Sequence, residues 1–107
     1  MSKPELVPYT VRLYRSGPAA DAFTEEELER LQSGHLDFLA GEREAGMILA
    51  SGPFADQPDE SLRGFGVMNA SIDEIRARVE RDPAVAAGRL RADVFTWLVP
   101  DGMRFGA

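Results

Sequence analysis

The apolar residues of this chain alternate between a spacing of two and a spacing near 3.6, and the order of those switches restricts the fold more than any other feature. Residues 9 to 15, "YTVRLYR", alternate and carry Tyr and Val in the pattern of a strand; "SGPAADAF" then interrupts them with Gly and Pro. From Thr24 the spacing becomes helical. "TEEELERLQSGHLDFLAGEREAG" opens with a capping box, in which Thr24 accepts from the Glu27 amide while the Glu27 side chain reaches back. Three glutamates in the first turn suit the positive end of the helix dipole, and Gly46 sits where a left-handed C-terminal cap is expected. The segment therefore reads as one helix over about 24–45. Gly34 and Gly41 inside it cost about 1 kcal/mol each relative to alanine, which implies close packing at both points.

"MILASGPF", residues 47 to 54, is a short apolar run ending in Gly-Pro and reads as a buried strand, followed by the polar loop "ADQPDESL". "RGFGVMNA", 63 to 70, reads as a further strand thinned by two glycines. "SIDEIRARVERDP" repeats the earlier device, with Ser71 and Glu74 as a second capping box and Ile72, Ile75 and Val79 at helical spacing. Pro83 stops that helix by pushing Asp82 out of helical geometry. After "AVAAG", the run "RLRADVFTWLV" alternates as a last strand, and the tail "PDGMRFGA" is expected to be loosely held.

Strand, helix, strand, strand, helix, strand is the split βαβ order. Its simplest solution is an α+β, ferredoxin-like βαββαβ fold: a four-stranded antiparallel sheet with both helices on one face. With 107 residues and 44% hydrophobic content, one domain spanning 1–107 is expected, its ordered core about 8–100. The other sheet face is left open. In the last strand Leu90, Ala92, Val94 and Leu98 share one side, while Phe95, Trp97 and Val99 share the other. The aromatic side needs cover, and a homodimer through the open face, with Phe95 and Trp97 at the contact, is the economical source; the alternative is the C-terminal tail folded over it.

A net charge of -6 argues against nucleic-acid partners and against anionic membrane surfaces. The absence of cysteine excludes disulfides, thiolate metal sites and thiol catalysis, and a single histidine with no calcium-type loop leaves no metal or cofactor implied. "MSKPELVPYT" lacks the apolar run of a signal peptide and no stretch approaches membrane-spanning length, so a cytoplasmic location is expected.

The lone histidine, His35, falls among Leu28, Leu31, Phe38 and Leu39 on the helical wheel and so faces inward. An unpartnered buried imidazole costs roughly 1–3 kcal/mol. Two roles follow: a core histidine bonded to a backbone carbonyl, or a general base in a cleft, since imidazole exchanges protons near neutral pH. Asp37 points elsewhere on the helix, and Glu42, seven positions on, lies two turns away. Asp82 is either the N-cap of a following turn, with Pro83 at the first helical position, or a partner for His35; the two roles are compatible, because one carboxylate oxygen can cap while the other orients a ring. Weaker candidates for holding a substrate are Ser51 and Gly52 beside Pro53, and Arg63, a possible anchor for an anion. "GFG" at 64 to 66 is too short for a nucleotide fingerprint.

The combination "HLDFLA…AGMILASGPF", "RGFGVM" and "RDPAVAAGRL" resembles the YciI-like, or YCII-related domain, family over nearly the whole chain. The resemblance implies a ferredoxin-like fold of the dimeric α+β barrel group and a site centred on a His and an Asp, which map onto His35 and Asp82. One member of that family is a dehydrochlorinase of a chlorinated hydroxyquinol, and fold relatives include muconolactone isomerases. Two functions are therefore carried forward. One is a cofactor-free isomerase or HX-eliminating lyase for a small molecule, with His35 as base and Asp82 fixing its tautomer. The other is a non-catalytic homodimer that binds a small ligand or partner, with a structural histidine.

Overall fold

The computed structural model describes residues 5–103. The elements run β1 (Leu6–Ser16), α1 (Glu25–Glu44), β2 (Ile48–Pro53), β3 (Leu62–Met68), α2 (Ile72–Arg78), a single 3-10 turn (Val79–Arg81), α3 (Pro83–Ala86) and β4 (Leu90–Pro100). The strands form one antiparallel sheet in the order β2-β3-β1-β4. This is the ferredoxin-like arrangement that the order of periods predicts, with β3 inserted between the two strands of the first βαβ unit.

Local chemistry explains where the helices begin and end. Both bonds of the Thr24–Glu27 capping box form, at 2.9 and 3.2 Å. At the far end Gly46 has φ +73°, and the Gly46 and Met47 amides donate to Arg43 and Glu42, closing the last turn. The second box is only half made. The Glu74 amide donates to Ser71, but the Glu74 carboxylate takes the Ser71 hydroxyl rather than the Ser71 amide.

Three further expectations need correction. The "MILASGPF" strand is not buried: β2 is an edge strand, exposed along most of its length, because only β3 pairs with it. The second helical segment does not run unbroken to Pro83. It tightens into a 3-10 turn after Arg78 and restarts as α3, with Asp82 extended at φ -75° and ψ 118° between them. Of the two glycines within α1, only Gly34 is closely packed; a Cβ there would lie 3.0 Å from the Pro83 ring, whereas one at Gly41 would meet nothing within 4 Å. The tail lies partly outside the described residues.

Register assigns the faces. Thr10, Arg12 and Tyr14 of β1 lie opposite Met68, Gly66 and Gly64 of β3 and Thr96, Val94 and Ala92 of β4, and this face receives the helices. Val11 pairs with Val67 and Phe95 on the other face, where Phe95 is 43% and Trp97 41% exposed and Trp97 meets Phe65 edge to face. No helix among the described residues is long and apolar enough to cross a membrane.

Candidate functional site

The site is built where α1 meets α3. Asp82 is extended because proline follows it, and its Oδ1 accepts from the Ala84 amide at 3.0 Å, so that it caps α3 with Pro83 at the first helical position. The absent side chain at Gly34 lets α1 approach the Pro83 ring, and the neighbouring residues of that contact, His35 and Asp82, are thereby brought together. His35 Nδ1 lies 2.6 Å from Asp82 Oδ2. The same oxygen accepts the Tyr14 hydroxyl at 3.2 Å, and the Tyr14 ring stands edge-on to the imidazole at 5.1 Å. All three acceptor contacts of one carboxylate are thus filled by groups from a strand, a helix and a cap.

Asp82 is fully inaccessible and His35 12% exposed. Burial pushes the Asp82 carboxyl up, but the bond and charge of His35, the Ala84 amide and the Tyr14 hydroxyl outweigh it, and the carboxyl is held below its ordinary range. Asp82 is therefore an anion that accepts from Nδ1–H, so that in the neutral ring Nε2, on the other edge, carries the lone pair. Burial also raises the Tyr14 hydroxyl far above its usual value; the Arg12 charge opposes this, while Asp82 and Glu42 reinforce it. Tyr14 stays a neutral donor.

His35 and Tyr14 line a cleft of about 800 Å³ between α1 and the sheet. Leu28, Leu36 and Leu39 wall it from α1, and Gly64 and Gly66 lie on its floor. Ser51, Gly52 and Arg63 also line it, Arg63 as an exposed residue at the start of β3. Ser51 makes no hydrogen bond to His35, which is turned to Asp82 instead. No group of three or more His, Cys, Asp or Glu residues is assembled among the described residues.

Three residues beside the cleft escape a sequence reading. Tyr14 looks like an ordinary strand aromatic. Arg12 and Glu42 form a buried two-pronged ion pair at 2.7 and 3.1 Å, to which Arg78 of α2 adds a contact with Glu42 at 3.1 Å. The Arg12 Nε–H has no acceptor among the described residues, and its guanidinium lies between the Tyr14 and Phe38 rings. The available signal was a charged residue at an inward position on each of two elements, Glu42 on the His35 stripe and Arg12 in phase with Tyr14.

A model of the YCII-related domain matches residues 9–98, which takes in α1, α2 and α3, β2 and β3, most of β1 and β4, and the His35–Asp82 pair. The chain belongs to the YCII-related domain family. Among solved structures, this YCII-related chain is similar to the 5-chloro-2-hydroxyhydroquinone dehydrochlorinase of Burkholderia phenoliruptrix AC1100, in its complex with 2,5-dihydroxybenzoquinone. The TM-score is 0.56 at 24% identity, over 82% of this chain and 92% of the other, a likeness of fold. No curated protein matches the sequence.

Proposed function

We propose that the protein is a small-molecule enzyme working by proton transfer, either isomerising a ring-containing or enolisable substrate or eliminating HX from it. The observation that carries this is a lone histidine whose Nδ1 sits 2.6 Å from a fully buried aspartate in the wall of a roomy cleft. Such a carboxylate fixes one tautomer and stabilises the imidazolium that forms when Nε2 takes a proton. In an elimination the proton goes to Nε2, the electron pair it leaves behind closes a new double bond and X⁻ departs, so that HX is lost with no change of oxidation state overall. In an isomerisation the same proton returns at another atom. Gly52 and Ser51, across the cleft, supply polar groups for a substrate oxygen. The fold shared with a dehydrochlorinase supports this class of reaction. The exposed Phe95 and Trp97 support a second copy of the chain seated on the open sheet face.

The test is turnover of a panel of chlorinated hydroxyquinols and muconolactones by the wild type and by His35→Gln. Loss of roughly 10²–10⁴-fold in kcat is expected for the variant with its circular dichroism unchanged. Undiminished turnover in His35→Gln removes the base.

A further inference from the structure

Asp82 receives more donors than a helix cap and a tautomer require. Its Oδ1 takes the Ala84 amide at 3.0 Å, while Oδ2 takes both the imidazole Nδ1–H at 2.6 Å and the Tyr14 hydroxyl at 3.2 Å. The cap accounts for the first bond and the orientation of His35 for the second. The third comes from a buried side chain of β1, an element distant in sequence from both.

Two donors on one oxygen compete. A buried carboxylate beside a histidine favours the imidazolium, because the ion pair forms where little water screens it. A base already protonated at neutral pH can take nothing from a substrate. A second donor on the same oxygen stabilises the carboxylate whether the ring is charged or neutral, and it takes up lone-pair density on which Nδ1–H would otherwise draw. The gain on forming the imidazolium is then smaller.

Tyr14 is built to be that second donor. Burial keeps its hydroxyl protonated. Its ring stands at 89° to the imidazole with the centroids 5.1 Å apart, and the Arg12 guanidinium lies over the ring 5.1 Å from its centroid. A cation over a phenol draws electron density from the ring and makes the O–H a stronger donor. Arg12 is itself paired with Glu42 of α1, which also holds Arg78 of α2. The other charged groups bordering the cleft are Glu29 and Arg43 of α1, Arg63 of β3 and Arg89 before β4. None of these hydrogen-bonds to Asp82 among the described residues.

We propose that Tyr14 is the positioning residue of this centre: by donating to Asp82 Oδ2 it draws off part of the carboxylate's hold on Nδ1–H and leaves the imidazole free to take a proton at Nε2. The role rests on His35 being the base, and it gives the buried tyrosine a part in the chemistry without contact with the substrate.

The lone histidine makes the test direct. Its ring signals are followed by nitrogen-15 NMR across the pH range in the wild type, in Tyr14→Phe, and in protein carrying 3-fluorotyrosine at position 14, whose hydroxyl is the stronger donor. Every other charged group is common to the three. Tyr14→Phe should raise the midpoint of the imidazole titration by about half a pH unit or more, roughly a threefold gain in proton affinity. The fluorinated protein should move the midpoint the opposite way, which a merely structural role for the ring does not explain. In each protein the acid limb of the kcat/KM profile should follow the NMR midpoint. Any other pattern, including identical titration of the three proteins or movement of both variants in one direction, overturns the proposal. If Tyr14→Phe does not fold, the fluorinated protein, which keeps the hydroxyl, decides by the sign of its shift. His35→Gln separates the two levels. Turnover that depends on His35 while the midpoint ignores Tyr14 removes the positioning role alone. Midpoints that move as stated while His35→Gln stays active remove the proton-transfer function and leave the coupling of Tyr14 to the ring.

Discussion

Replacing Asp82 by Asn changes one atom and tests the centre directly. The amide oxygen can still accept from Ala84, and Asn caps helices as well as Asp does, so the start of α3 is retained. The loss falls on the other side. An NH2 group now faces two donors, the Nδ1–H of His35 and the Tyr14 hydroxyl, which in the native protein share Oδ2 at 2.6 and 3.2 Å. His35 must shift its proton to Nε2 and accept through Nδ1, and Tyr14 must rotate to accept. Hydrogen bonds to a charged group contribute about 1.5–3 kcal/mol, so a net loss of about 2 kcal/mol is expected. For 107 residues, unfolding entropy near 2.1 cal/mol/K per residue turns this into a drop of about 9 °C in Tm. The pH dependence has a definite sign. Because the native carboxyl is held below its ordinary value, the unfolded chain binds its proton more readily. The stabilisation is complete above the unfolded value of about 3.9 and fades as pH falls through the lower native one. Thermal melts followed by circular dichroism should show the full difference between wild type and Asp82→Asn at neutral pH and a shrinking one below about pH 4. Since the chain has one histidine, its nitrogen-15 shifts report the tautomer without ambiguity. A variant that melts within about 2 °C of wild type and keeps its proton on Nδ1 refutes the account of Asp82 as the anion that orients the ring.

Two further outcomes are expected. Glu42→Gln strands the buried Arg12 cation and should cost about 3–5 kcal/mol in urea unfolding, more than Arg12→Met, which leaves Glu42 with Arg78. Arg12→Met combined with Glu42→Leu should cost less than Glu42→Gln alone, and a double variant whose loss equals the sum of Arg12→Met and Glu42→Leu made singly would show that the pair does not act as a unit. On the open face, Phe95→Glu/Trp97→Glu should leave the fold intact and turn a dimer into a monomer in sedimentation equilibrium. A wild type that already sediments as a monomer ends the proposal of a second copy on that face.

Most of the architecture was legible because its signals are local. The Thr24–Glu27 box, the left-handed Gly46, the break before Pro83 and the alternation of the strands each depend on interactions within a few residues, and each appears where the pattern places it. The exceptions have physical causes. "MILASGPF" is as apolar as a buried strand, but its position at the sheet edge, which exposes it, depends on which strand enters the middle. Ser71 and Glu74 have the letters of a full capping box, yet the carboxylate finds a hydroxyl instead of the amide.

The sequence by itself determined that His35 faces inward and that Asp82 is poised to cap a turn, because a helical wheel and a following proline are properties of the adjacent chain. Only the tertiary structure decided what they do to each other. The contact spans 47 residues, is drawn tight by the glycine that lets α1 settle on Pro83, and is completed by Tyr14 from 68 residues away. The same holds for Arg12 and Glu42, 30 residues apart, whose burial is tolerable only as a pair. A side chain's direction is written in its neighbours along the chain; its partner is set by strand register and helix packing, and with the partner come the charge it holds and the chemistry open to it.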